Sequence, residues 1–187
     1  MPFLSEAQTR SALQLARTAV AETVSRRDLP RHIPRDGIFA ERRGVFVTLH
    51  LRGRLQGCIG VIEPDEPLGE AIVRCAASAA LEDPRFAPLR ADQLGELSIE
   101  ISLLSAPAPI SPEAIEIGRH GLLVVLHARR GLLLPQVAIK HHLTRQQFLE
   151  ETCRKAGLQP EAWCDPEARL LGFTCEVLSD LQQPGEA

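Results

Sequence analysis

A cysteine set between two glycines, in Leu55-Gln56-Gly57-Cys58-Ile59-Gly60, is the arrangement in this chain best suited to nucleophilic chemistry. Glycines on either side leave the sulfur without bulky neighbours along the chain and let a ligand or a second backbone come close. A thiol acts as a nucleophile only when part of it is ionised near neutral pH, which takes a nearby cation, a helix N-terminus or a general base. The chain offers each: a helix opening near Pro67, the guanidinium of Arg85, and the imidazole of His50, with His120 as an alternative base. Cys58, His120 and Arg85 are therefore the candidate catalytic residues, with Gln56, Gly57, Gly60, His50, Glu100 and Gln136 as candidate binding residues. Glu100 would orient a histidine or Arg85, and Gln136 would extend a hydrogen-bonding arm. Each has a plain structural reading beside the functional one. Cys58 suits a tight strand crossing, Arg85 can brace the Asp83-Pro84 turn, Glu100 can be solvated, and Gln136 can cap freed backbone groups.

The remaining cysteines carry less chemistry. Cys75, Cys153 and Cys175 fall on apolar stripes and read as core, while Cys164 reads as a loop thiol. Five cysteines without CxxC spacing point to reduced thiols, and they lack the close spacing an iron–sulfur cluster needs. His141, His142, Cys153 and Cys164 match no common zinc spacing, so neither a metal nor a cofactor is expected. A net charge of -3 and an aromatic content of 4% with no Tyr give no broad electrostatic or stacking reason to bind nucleic acid, so it is not the expected partner, although the arginines of residues 26–43 could form a phosphate-binding patch. The arginines at 26, 27, 31, 35, 42 and 43 read as a solvated face. No apolar run approaches the roughly 20 residues of a membrane span, and the N-terminus starts with a helix signal, so a cytoplasmic location is expected.

The elements that must position these residues follow from periodicity. Ser5 to Gln8 has the form of a capping box ahead of a helix to about Ser25. Val45, Val47, Leu49 and Leu51 alternate with Phe46, Thr48 and His50, and 55–62 forms the partner strand of a hairpin. A three-residue loop, Arg52-Gly53-Arg54, would set Leu51 opposite Leu55 and Val47 opposite Ile59. Cys58 then shares a face with Gln56, Thr48 and His50, away from Leu55 and Ile59. Leu68, Ala71, Ile72, Cys75, Ala76, Ala79 and Ala80 make a helix stripe that Asp83-Pro84 stops. Leu97 to Leu103 alternates as a strand, and the prolines at 107, 109 and 112 mark a surface connection. Leu122 to Leu126 and Leu132 to Leu134 read as a second hairpin across 127–131, ended by Pro135. Thr144 to Gln147 caps a further helix stopped by Gly157, and Leu171 to Val177 is the last strand, with a frayed tail after Asp180. Helices interleaved with hairpins give an α+β class.

Several stretches, taken in order, resemble one family, the AMMECR-type domain, also called AmmeMemoRadiSam system protein A. They are Gly44 to Leu49, Leu55 to Gly60, Asp83 to Leu89, Leu97 to Ser105, Gly118 to Leu122, Gly131 to Ala138, and Phe148-Leu149 through Cys153 to Leu158. The resemblance covers almost the whole chain. It implies a single two-lobed α+β domain over 1–187, with antiparallel-rich sheets, packed helices and the cysteine motif near a cleft between lobes. It also implies partners: a Memo-type protein related to metal-dependent ring-opening dioxygenases, and a radical S-adenosylmethionine protein. The substrate would be a small molecule or a modified partner protein, and the competing expectation is a non-catalytic binding module or scaffold for those partners. One residue departs from the family pattern, which carries Arg before Gly-Cys where this chain has Gln56. A neutral amide offers less to a thiolate or an anionic ligand, leaving Arg54 or Arg85 to substitute.

Overall fold

The structure is a computed structural model, described for residues 3–180; the tail expected to fray after Asp180 lies outside these residues. The chain divides into two compact units, Met1–Leu103 with Glu176–Ala187, and Leu104–Cys175.

In the first unit, α1 (Glu6–Arg26) starts on the expected capping box: Ser5 Oγ accepts the Gln8 N–H and Gln8 Oε1 accepts the Ser5 N–H at 2.8 Å. Arg27, left-handed at φ 55°, ends it. The hairpin strands are β1 (Val45–Leu51) and β2 (Arg54–Val61), followed by α2 (Leu68–Leu81) and β3 (Leu97–Leu104). β1 lies between β2 and β3, antiparallel to both. The small-residue stripe of α2 is buried throughout, and the helix packs on β1 and β2 on one side and on α1 on the other. Val45, Val47, Leu49, Ile99 and Ile101 face this layer and are fully buried. Each contributes about 1.5–3 kcal/mol of apolar burial, so this face of the sheet is the core, and the opposite face carries the polar Thr48, His50, Ser98 and Glu100 together with Phe46 and Leu55.

The hairpin differs from the expected register in an informative way. Its loop has two residues, Arg52 at φ 51° and Gly53 at φ 74°, the left-handed pair of a type I′ turn, so Leu51 pairs with Arg54 and not Leu55. A β-bulge then inserts Gln56, with His50 opposite Leu55 and Leu49 opposite Gly57. Beyond the bulge, Val47 opposes Ile59 and Thr48 opposes Cys58. The extra residue reverses the face of Leu55, which lies on the His50 side, 42% exposed, instead of joining Ile59.

In the second unit, β4 (Ala108–Pro109), β5 (His120–Leu126) and β6 (Arg129–Leu133) precede α3 (Pro135–Lys140), α4 (Arg145–Lys155) and β7 (Arg169–Ser179), whose residues up to Cys175 belong here. β5 pairs with β6 and β7, and the short β4 pairs with β7 in the segment expected to be connection only. The second hairpin loop is shorter than the five residues expected, because Leu126 pairs directly with Arg129. Gly131 belongs to β6 for a packing reason: a Cβ there would stand 2.4 Å from the Ala156 nitrogen and 2.5 Å from the Thr152 oxygen at the end of α4. Thr144 and Gln147 form the expected capping box, Gly157 at φ 69° follows the helix, and Phe148 and Leu149 pack with Ile115, Leu122 and Ala138. Pro135, expected to end the hairpin, opens α3. Among the described residues no helix is long and apolar enough to cross a membrane.

Candidate functional site

β2 has β1 on one side, and the loop after α2 supplies partners on the other. The Cys58 N–H donates to Asp83 Oδ2 at 2.9 Å, and the Cys58 carbonyl accepts Arg85 Nη2 at 3.2 Å. Two residues back, Gln56 Nε2 donates to the Ala87 carbonyl at 2.7 Å, and the Leu89 N–H returns to the Ala80 carbonyl of α2 at 2.8 Å. The segment 83–89 thus covers the backbone groups that an edge strand would leave open.

Because both backbone groups of Cys58 point to this loop, Thr48 and Cys58 form a non-hydrogen-bonded pair, the geometry that brings opposite side chains closest. The Thr48 hydroxyl donates to Cys58 Sγ at 3.2 Å. Cys58 is half-buried, its sulfur on the polar face away from the aliphatic core. Thr48 pairs on its other side with Glu100, so Cys58, Thr48 and Glu100 form one row across three strands. His50 pairs with Ser98 in the row next to it, and Phe46 lies between Gly60 and Ser102 on the far side. His50 Nδ1 is buried and has no hydrogen-bond partner among the described residues.

Asp83 organises the motif. Its side chain is 2% exposed and accepts from Arg85 Nε at 2.9 Å, Arg85 Nη2 at 2.6 Å and the Arg85 N–H at 3.1 Å, besides the Cys58 N–H. The Arg85 side chain, seconded by the two backbone N–H groups, holds the Asp83 carboxyl far below the usual carboxylate range against the opposing effect of burial. The bidentate pairing turns the Arg85 guanidinium toward Asp83, with Phe86 stacked 5.3 Å from its centre. The geometry gives Arg85 the bracing role and leaves Cys58 no dedicated cation from this segment.

The flanking glycines are filled by the protein itself. A Cβ on Gly57 would lie 2.0 Å from the Ala79 carbonyl oxygen, so this glycine lets α2 press on β2. One on Gly60 would strike the Phe46 ring at 2.3 Å. Of the two approaches a glycine allows, the structure uses a second backbone at Gly57 and a ring at Gly60. Gln56 spends an amide donor on Ala87, and as the bulged residue it does not continue the alternation that was to align it with Cys58.

Two candidates belong to the second unit. His120 Nδ1 accepts the Glu116 N–H at 3.0 Å while its own N–H donates to the Glu116 carbonyl, closing the turn at the start of β5. Gln136 stands in the first turn of α3. Cys75 and Cys153 are fully buried, and burial pushes the Cys75 thiol up to about 11 and Cys153 upward as well. Cys164 is exposed and Cys175 half-buried. Among the described residues no group of three or more His, Cys, Asp or Glu is placed to hold a metal ion. Thr48 and Asp83 were not among the site candidates. Asp83 carried a signal, a carboxylate between an apolar helix and a proline that had to be satisfied locally, and Thr48 could be found only with the register.

Comparison with known proteins places this arrangement in a family. The AMMECR1 family model matches residues 13–178. A protein of Methanosarcina barkeri is 43% identical over 196 residues, covering 98% of this chain and 96% of the relative. One from Methanothermobacter thermautotrophicus is 40% identical over 187 residues, covering 95% and 96%. The crystal structure of an uncharacterized protein from Pyrococcus horikoshii superposes with a TM-score of 0.87 at 34% identity, covering 98% of this chain and 96% of that one. On the length and identity of these matches, and with α+β architecture shared with a solved relative, the chain belongs to the AMMECR1 family.

Proposed function

We propose that this protein is a cytoplasmic thiol enzyme in which Cys58 does covalent chemistry on a small molecule or on a modified partner protein, acting with a Memo-type dioxygenase-like protein and a radical S-adenosylmethionine protein. The observation that carries the reading is the placement of the sulfur: half-buried on the polar sheet face, with the Thr48 hydroxyl donating to it at 3.2 Å and its backbone N–H and carbonyl both held by the 83–85 segment through Asp83 and Arg85. A hydroxyl donor steadies a sulfur that carries negative charge, and a clamped backbone fixes its direction of attack. His50, one row away on the same face, is the imidazole this reading assigns to exchange a proton with the thiol. The AmmeMemoRadiSam grouping and its partners are supported by family membership alone.

The test is intact-mass analysis of wild type and Cys58→Ala after incubation with the two partner proteins and with a small-molecule extract. The proposal expects an adduct mapped to Cys58 in the wild type, absent from a variant that folds normally. Loss of partner binding in Cys58→Ala, with no adduct on the wild type, would replace the enzyme by a binding module. Full function of that variant with unchanged folding would remove both.

A further inference from the structure

We infer that the Cys58 face admits a neutral or cationic electrophile and discriminates against an anionic one, with Glu100 as the residue that sets this preference. The inference rests on the reading of Cys58 as a reactive, reachable thiol and adds the charge class of what reaches it.

The argument is an account of charge. The pairings of β1 with β2 and β3 put Phe46, Thr48, His50, Leu55, Cys58, Gly60, Ser98, Glu100 and Ser102 on one face. None of these is Lys or Arg, and Glu100 is the carboxylate among them. The Arg85 guanidinium and the Gln56 amide, which reach the Cys58 strand from beside the face, are both engaged, and Arg54 pairs with Leu51 on the opposite side of the sheet. Arg85 is bound bidentately to Asp83, so the pair is electrically neutral from a distance, and the Gln56 amide donates to Ala87. Glu100, by contrast, has no ion pair or hydrogen bond to its carboxylate among the described residues, and its charge stands uncompensated one strand beyond Thr48. An anion-binding thiol site would show the reverse, a free guanidinium and no open carboxylate.

The size of the preference follows from the sheet. Two strand spacings of about 4.8 Å put Glu100 roughly 10 Å from Cys58, and an effective dielectric of about 40–80 there gives a two- to four-fold rate effect per unit charge, or about 4- to 16-fold between a cation and an anion.

The experiment labels Cys58 at pH 8 and low salt with two methanethiosulfonates, one carrying a trimethylammonium group and one a sulfonate. In both, the thiolate attacks the sulfenyl sulfur, the new S–S bond forms and methanesulfinate leaves, so only the appended charge differs. Rates at Cys58, read by peptide mass spectrometry, are divided by those of 2-mercaptoethanol with the same reagents. The inference expects a normalised cation-to-anion ratio of about 4 to 16, collapsing toward 1 in Glu100→Gln and retained in Glu100→Asp. The rate with neutral methyl methanethiosulfonate, which reports the effect of Glu100 on the thiolate itself, should rise by no more than about two- to four-fold in Glu100→Gln and stay near the wild-type value in Glu100→Asp, an effect that cancels in the cation-to-anion ratio. A wild-type ratio near 1, or one that survives Glu100→Gln, overturns the inference while leaving a reactive Cys58. No labelling of Cys58 by any of the three reagents overturns the thiol-enzyme reading itself, and this inference with it.

Discussion

Removing the Asp83 carboxylate should loosen the cysteine strand without touching the sulfur. In Asp83→Ala, Arg85 loses a bidentate partner and the Cys58 N–H loses its acceptor. A hydrogen bond to a charged group contributes about 1.5–3 kcal/mol net, and a half-buried N–H left open costs about 1 kcal/mol more. The Arg85 side chain is 55% exposed, so water recovers much of the lost ion pairing and the Coulomb part is discounted. The expected loss is about 2–3 kcal/mol, or a fall in Tm of roughly 5–10 °C for a chain of this size. The carboxyl of Asp83 is held below its unfolded value, so its stabilisation is fully present above about pH 4 and is lost as the pH falls below that. Urea melts at pH 7 and at pH 2.5 check both parts. The stability gap between wild type and Asp83→Asn should be large at pH 7 and shrink at pH 2.5. A loss under about 0.5 kcal/mol, or a gap equal at the two pH values, would refute the role assigned to Asp83.

Three further outcomes follow from the packing and the site. Gly57→Ala places a methyl 2.0 Å from the Ala79 carbonyl oxygen, a backbone atom that cannot step aside, and should cost about 3 kcal/mol or more in a denaturant melt. Thr48→Val removes the donor to Cys58 Sγ while nearly keeping the volume, so it should slow iodoacetamide labelling of Cys58 several-fold with a stability change of about 1 kcal/mol, the net value of one hydrogen bond. Thr144→Ala breaks the cap of α4 and should destabilise by about 1 kcal/mol, with labelling at Cys58 unchanged.

What could be read from the chain itself was the local physics. Both capping boxes, the buried stripe of α2 and the alternation of β1 and β3 are properties of single segments, and each formed as its spacing demands. The hairpin shows where such reading stops. A two-residue turn and a three-residue turn both produce plausible pairings, and the chain uses the first and then corrects the register with a bulge at Gln56, so Cys58 still faces Thr48 while Leu55 changes sides. The bulge is unreadable because its cause is tertiary: the Gln56 amide and the Cys58 backbone are captured by the loop 83–89. The same contacts explain why Arg85, an apparent cation for the thiol, is turned to Asp83. Gly57, which opened the way to the sulfur on paper, instead opens the strand to a helix backbone.

The most direct test of the central claim compares the five thiols of the folded protein in one experiment, with iodoacetamide at pH 7.5 and mass spectrometry of each cysteine over time. The account predicts that Cys58 is labelled at least as fast as a small free thiol, and far faster than the fully buried Cys75 and Cys153. A Cys58 that labels as slowly as Cys75 in a protein whose exposed Cys164 reacts normally would contradict it.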